Sequence, residues 1–110
     1  MPKSITTVLK MQDVGCRSWC DVECQLDTGA TCNVTSKDDF LRVSGKRDLR
    51  GVPRSSARLR LYDGSVIRPL DENTFEVQRV PGLHLTFQIV NSYQKPLLSA
   101  DTCRMYKQCV

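Results

Sequence analysis

The chain is poor in the residue types that most metal and nucleotide sites draw on. It has one histidine, His84, one tryptophan and six other aromatic residues among 110. A multi-histidine metal centre is therefore excluded, and base-stacking platforms have little to work with. Six Gly and five Pro are too few for a collagen-like or low-complexity chain. No apolar run approaches the roughly 18 to 20 residues that a membrane-spanning helix needs. Residues 1–10 lack the apolar core of a signal peptide, so an intracellular location is expected and no membrane partner. Six cysteines are too sparse for a small disulfide scaffold, and free thiols are the expectation. What remains is an ordinary globular composition, 40% hydrophobic and 25% charged, with room for a single domain over residues 1–110 and one small core.

Charge is present in both signs but unevenly placed. Residues 42–60 hold seven basic side chains (Arg42, Lys46, Arg47, Arg50, Arg54, Arg58, Arg60) against Asp48 alone, a local +6. The rest of the chain has nine basic and eleven acidic residues, a net −2. Such a segment could contact nucleic acid phosphates or an acidic substrate, and a solvated mobile loop is the favoured reading. No aromatic residue is interleaved in it to stack on bases, so nucleic acid is not the expected partner.

Alternation predicts a mainly β domain. Cys20, Val22, Cys24 and Leu26 alternate with Asp21, Glu23, Gln25 and Asp27, the period of a half-buried strand. The apolar, β-branched residues 5–11 can pair with it across a turn at 13–17. Ala57, Leu59 and Leu61 alternate with Arg58, Arg60 and Tyr62 ahead of Asp63-Gly64, a tight-turn pair, which predicts a second hairpin. Phe75, Val77 and Arg79 suggest another strand, Pro81-Gly82 a turn, and Leu83, Leu85, Phe87 and Ile89 one more. Only residues 99–107 read as helical, with Ser99 as N-cap.

Cys16, Cys20 and Cys24 recur every four residues, which on a strand spaces them about 13 Å apart, too far to share an ion. No metal and no cofactor is expected. The stretch that carries chemistry is Gln25-Leu26-Asp27-Thr28-Gly29-Ala30, a strand running into a loop that presents a carboxylate. Gly29 would let backbone or substrate approach closely, and the Thr28 hydroxyl can bond neighbouring main chain. Asp-Thr-Gly alone arises by chance in roughly one chain in a hundred of this length, so its context matters.

That context resembles the retropepsins, the retroviral and retrotransposon aspartic proteases, and among them those of gypsy-like elements. An apolar strand enters Asp27-Thr28-Gly29-Ala30; 35 residues beyond Asp27 stands Tyr62-Asp63-Gly64; near the end Pro96-Leu97-Leu98-Ser99 leads into a short helix. The resemblance implies a small, closed, β-barrel-like domain with one short C-terminal helix, active as a twofold homodimer. It implies an aspartic endopeptidase that cleaves a retroelement polyprotein, in the cytoplasm or within a virus-like particle. Asp27 would be catalytic, with Thr28, Gly29 and Ala30 forming the active-site loop. Arg50, Gly51 and Val52 fall where a flap tip is expected, within a flap spanning about 45–60.

The chemistry agrees with a homodimer. Peptide hydrolysis of this type needs two carboxylates about 3 Å apart that share a proton, one activating water and the other hydrogen-bonding the carbonyl. The sequence holds one Asp-Thr-Gly, so a pair forms only across two chains. Ser99 and Asp71 stand where the family often has Gly, Thr35 where an apolar residue is usual, and Gln108 to Val110 are short for a dimer-locking terminal strand. These departures motivate the alternative, a catalytically inactive retropepsin-like module for dimerisation or peptide binding.

Overall fold

The computed structural model describes residues 5–13, 18–27, 29–60, 64, 66–78, 82–91 and 95–109. Eight strands and two helices follow in the order β1 (Thr6–Asp13), β2 (Cys20–Leu26), β3 (Asn33–Ser36), α1 (Lys37–Ser44), β4 (Leu59–Arg60), β5 (Val66–Ile67), β6 (Asp71–Val77), β7 (His84–Val90), β8 (Leu97–Leu98) and α2 (Ala100–Cys109). Six strands close into a barrel in the order β1-β2-β8-β3-β7-β6, and β4 pairs with β5 separately.

Period-two patterning builds most of this. In β1, Leu9, Met11 and Asp13 point inward, while Val8 and Lys10 face solvent; in β2, Val22 and Cys24 are buried between exposed Asp21 and Glu23. The two pair antiparallel, Leu9 opposite Val22. β1 also meets β6 at Met11 to Asp13, which closes the barrel. β7 lies between β6, antiparallel, and β3, parallel, and its last four residues are all buried.

The order places the last strand centrally. β8 inserts between β2, which it parallels, and β3, so the loop joining β2 to β3 must pass over the end of β8. The apolar pair Leu97 and Leu98 fits that position because both are buried.

Two helices are present, not the one C-terminal helix expected. α1 forms because Ser36 caps it: its Oγ accepts from Asp39 N–H at 3.2 Å and donates to Asp39 Oδ2 at 3.0 Å. Asp38 and Asp39 sit in its first turn, favourable to the helix dipole, and Gly45 ends it in the left-handed conformation (φ 73°). Phe40 and Val43 enter the barrel core, and Phe40, Phe75 and Phe87 form successive edge-to-face pairs at 6.0 and 5.7 Å. A second, smaller cluster of Val34, Leu59, Val90 and Leu97, with Cys32 and Ile67 against it, seats the β4–β5 hairpin on the strands beside Asp27.

The second predicted hairpin exists, with Leu59 opposite Ile67 and Arg60 opposite Val66. Gly64 in its connection has φ 88°, whereas Leu61, Tyr62 and Asp63 of the predicted hairpin lie outside the described residues. The expected turns at 14–17 and at Pro81, and Arg79 of the predicted strand, lie outside the described residues. Among the described residues no helix is long and apolar enough to cross a membrane.

Candidate active site

Asp27 follows the last residue of β2. Its backbone N–H donates to Leu98 O at 3.0 Å, so the carboxylate loop is bonded to the apolar pair 71 residues later in sequence. The bond continues the ladder in which Gln25 N–H donates to Pro96 O at 2.7 Å. The loop turns at once: Ala30 N–H donates to Asp27 O, and Gly29 N–H donates to Asp27 Oδ1, both at 3.0 Å. This local clasp fixes the orientation of the half-buried carboxylate. Thr28 lies outside the described residues. Gly29 is exposed and does not need a positive φ; a Cβ placed there would touch Asp27 Oδ1 at 3.4 Å, an ordinary contact. The chain's own packing therefore does not demand glycine at this position.

Ala30 ties the loop to α2, its carbonyl accepting from Ala100 N–H at 3.2 Å. Ser99 caps that helix: its Oγ accepts from Thr102 N–H at 3.2 Å and donates to Thr102 Oγ1 at 3.1 Å. The hydroxyl at this position is thus accounted for by a buried cap. Asn33 completes the frame. Buried at the start of β3, it accepts from Ser99 N–H at 2.8 Å through Oδ1 and donates to Thr86 O at 3.1 Å through Nδ2. One side chain joins the end of β8 to β7. Nothing in the sequence marked Asn33 for this task, since its partners are 53 and 66 residues away.

Cys103 is a further neighbour that sequence reading did not find. Its Sγ donates to Leu98 O at 3.7 Å. Burial pushes its thiol up; hydrogen bonding with the Asp27 backbone draws it partly back, and the nearby Asp27 charge raises it again. On β2, Cys24 is fully buried, and burial first, with the charges of Asp39 and Glu23, pushes its thiol up to about 12. Cys20, Cys24, Cys32 and Cys103 are all free thiols. Cys24 is a small core residue without nucleophilic character at neutral pH. Among the described residues no group of three or more potential ligands could hold a metal ion.

Arg50 and Gly51, expected at a flap tip, form a turn in which Val52 N–H donates to Leu49 O at 3.1 Å and Gly51 has φ 78°. Val52 is buried in the barrel core and Leu49 packs against it. That turn is held to the barrel on both sides. The two-stranded projection among the described residues is the later one, β4 with β5. The structure therefore bonds Asp27, Gly29, Ala30, Leu98 and the start of α2 to one another, while Val52 of the 50–52 turn lies in the barrel core that Leu98 also enters.

Comparison of the chain with protein-family models, with curated proteins and with solved structures finds no match in any of the three.

Proposed function

We propose that this chain is half of an aspartic endopeptidase of the retropepsin type, completed by a second copy that contributes its own Asp27. The observation that carries the reading is the Asp27 N–H to Leu98 O bond at 3.0 Å, which joins two of the three separated motifs on which the resemblance rests. A closed, mainly β barrel with the carboxylate loop passing over an inserted strand supports it further. In the paired state one Asp27 carboxylate is ionised and takes a proton from water, while the other, protonated, hydrogen-bonds the scissile carbonyl. The water oxygen adds to the carbonyl carbon, and the amine leaves with a proton returned by the dyad. In this reading the flap is the β4–β5 hairpin, seated beside the aspartate loop through Leu59 and Ile67. The substrate is a polypeptide, a retroelement polyprotein by resemblance.

Two of the departures behind the inactive-module alternative are Ser99 and Asp71. Ser99 is a helix cap, and Asp71 is buried in β6 opposite Ile89, so neither intrudes on Asp27. Incubation of the purified chain with a mixed peptide library at acidic and neutral pH tests the proposal. Cleavage that a statine-type transition-state mimic blocks is expected; cleavage unaffected by the mimic and retained in Asp27→Asn contradicts it.

A further inference from the structure

The basic segment acquires a shape in the fold. Residues 53–60 run antiparallel beside 66–72: Glu72 N–H donates to Pro53 O at 2.9 Å, Arg54 bridges Asp71, Ser55 N–H donates to Leu70 O at 3.4 Å, and Leu59 pairs with Ile67. The result is a two-chain ribbon whose faces differ. Toward the hairpin end, where Leu59 pairs with Ile67, Leu59 and Pro69 are buried and Ala57 and Ile67 half-buried on the inner side, while Arg58, Val66 and Arg68 are exposed on the outer side. Arg54 stands opposite the buried Asp71 and so shares its side of the ribbon with a carboxylate. The outer face at the hairpin end holds two cations and Val66, 56% exposed, with Leu70, 40% exposed, further along the same segment, and no acid among its described residues.

The cations are uncompensated. Arg42 and Arg50 have carboxylate partners, Asp39 at 3.7 Å and Asp48 at 3.6 Å. Among the described residues Arg54, Arg58 and Arg68 have none. The register that sets Leu59 opposite Ile67, continued by one residue, brings Arg58 level with Arg68. Like charges so placed on a β-ribbon disfavour each other, and an anion between them relieves both.

We propose that this outer face is a docking surface for an extended polypeptide segment in which carboxylate side chains alternate with apolar ones. The carboxylates lie on Arg58 and Arg68, and the apolar side chains on Val66 and the nearby Leu70. A polypeptide fits better than a nucleic acid because the exposed large side chains beside the arginines, Val66 and Leu70, are aliphatic, with no ring among the described residues of the face to stack on a base. The surface uses no group of the Asp27 loop and stands whether or not the chain is a protease.

The test uses the full-length Asp27→Asn chain, so that no probe is consumed, and fluorescence anisotropy with labelled peptides of alternating Glu and Leu, Gln and Leu, or Glu and Ser. The Glu–Leu peptide is expected to bind tightest, and Arg58→Gln/Arg68→Gln to weaken it about tenfold, the effect of losing two or three exposed charge contacts. Arg58→Lys/Arg68→Lys should retain most of the binding. Equal affinity for the Glu–Leu and Gln–Leu peptides, or no loss in the double Gln variant, overturns the proposal. Tighter binding of a single-stranded oligonucleotide than of the Glu–Leu peptide overturns it in favour of nucleic acid. Absence of hydrolysis by the wild type bears only on the protease reading.

Discussion

Truncating Asn33 probes the frame that holds the carboxylate loop. In Asn33→Ala the buried Ser99 N–H loses its acceptor at 2.8 Å and Thr86 O its donor at 3.1 Å. Each lost bond removes about 1 kcal/mol, and a buried group left without a partner costs about 1 to 3 kcal/mol. Ser99 is buried, so its N–H has no easy route to water, whereas Thr86 is exposed and its carbonyl can be rehydrated. The expected loss is therefore about 2 to 4 kcal/mol, most of it from the Ser99 side. For a domain of this size that corresponds to a fall in Tm of roughly 10 to 20 °C. Urea titration followed by circular dichroism should show a lower midpoint at unchanged slope. A loss below about 0.5 kcal/mol in Asn33→Ala would refute the reasoning, because it would mean that neither bond is made in the folded chain.

Ser36→Ala should destabilise by about 1 kcal/mol through loss of the α1 cap, measured by the same titration; Asp39→Ala in the Ser36→Ala background should add little, since the two act as one cap. Cys24, with its thiol pushed up to about 12 from the ordinary 9.0, holds its proton more tightly folded than unfolded. Its contribution is complete below pH 9 and is lost as pH rises from 9 toward 12, at a slope of about 1.4 kcal/mol per pH unit. Urea midpoints at pH 8 and 10 should fall more steeply for wild type than for Cys24→Ala, and equal slopes would contradict this. Gly29→Ala should change stability by less than about 0.5 kcal/mol, since the added methyl makes only an ordinary contact with Asp27 Oδ1. Under the proposed function the same variant should cleave poorly, which separates a requirement of the cleft from one of the fold.

Alternation carried much of the architecture. β1, β2 and β7 lie where period-two patterns put them, because each has one face on the core and the other toward water or the barrel's polar side. α1 is hard to read from sequence because only Phe40, Leu41 and Val43 are apolar in its eight residues, too short a run to separate a helical face from a strand; its signature is at the ends, in Ser36 with Asp39 and in Gly45. The ribbon of 53–60 with 66–72 was partly legible, through Leu59 and Gly64, but most of its bonds involve residues outside regular strands. Val52 illustrates the limit of spacing arguments: placed at an expected tip, it packs in the core because the turn at Arg50 and Gly51 folds it inward. Asp27 was found by its motif, whereas Asn33 and Cys103 reach it only through the closure of the barrel. That closure depends on strand order, which no local pattern encodes.

The central claim is that one chain supplies one of two catalytic carboxylates. Mixing wild type with Asp27→Asn at fixed total concentration, after unfolding and refolding together, tests it most directly. If activity requires two wild-type chains, an equal mixture retains about one quarter of the wild-type rate, following the square of the wild-type fraction. A rate of about one half, linear in that fraction, would mean that each chain acts alone and would contradict the account.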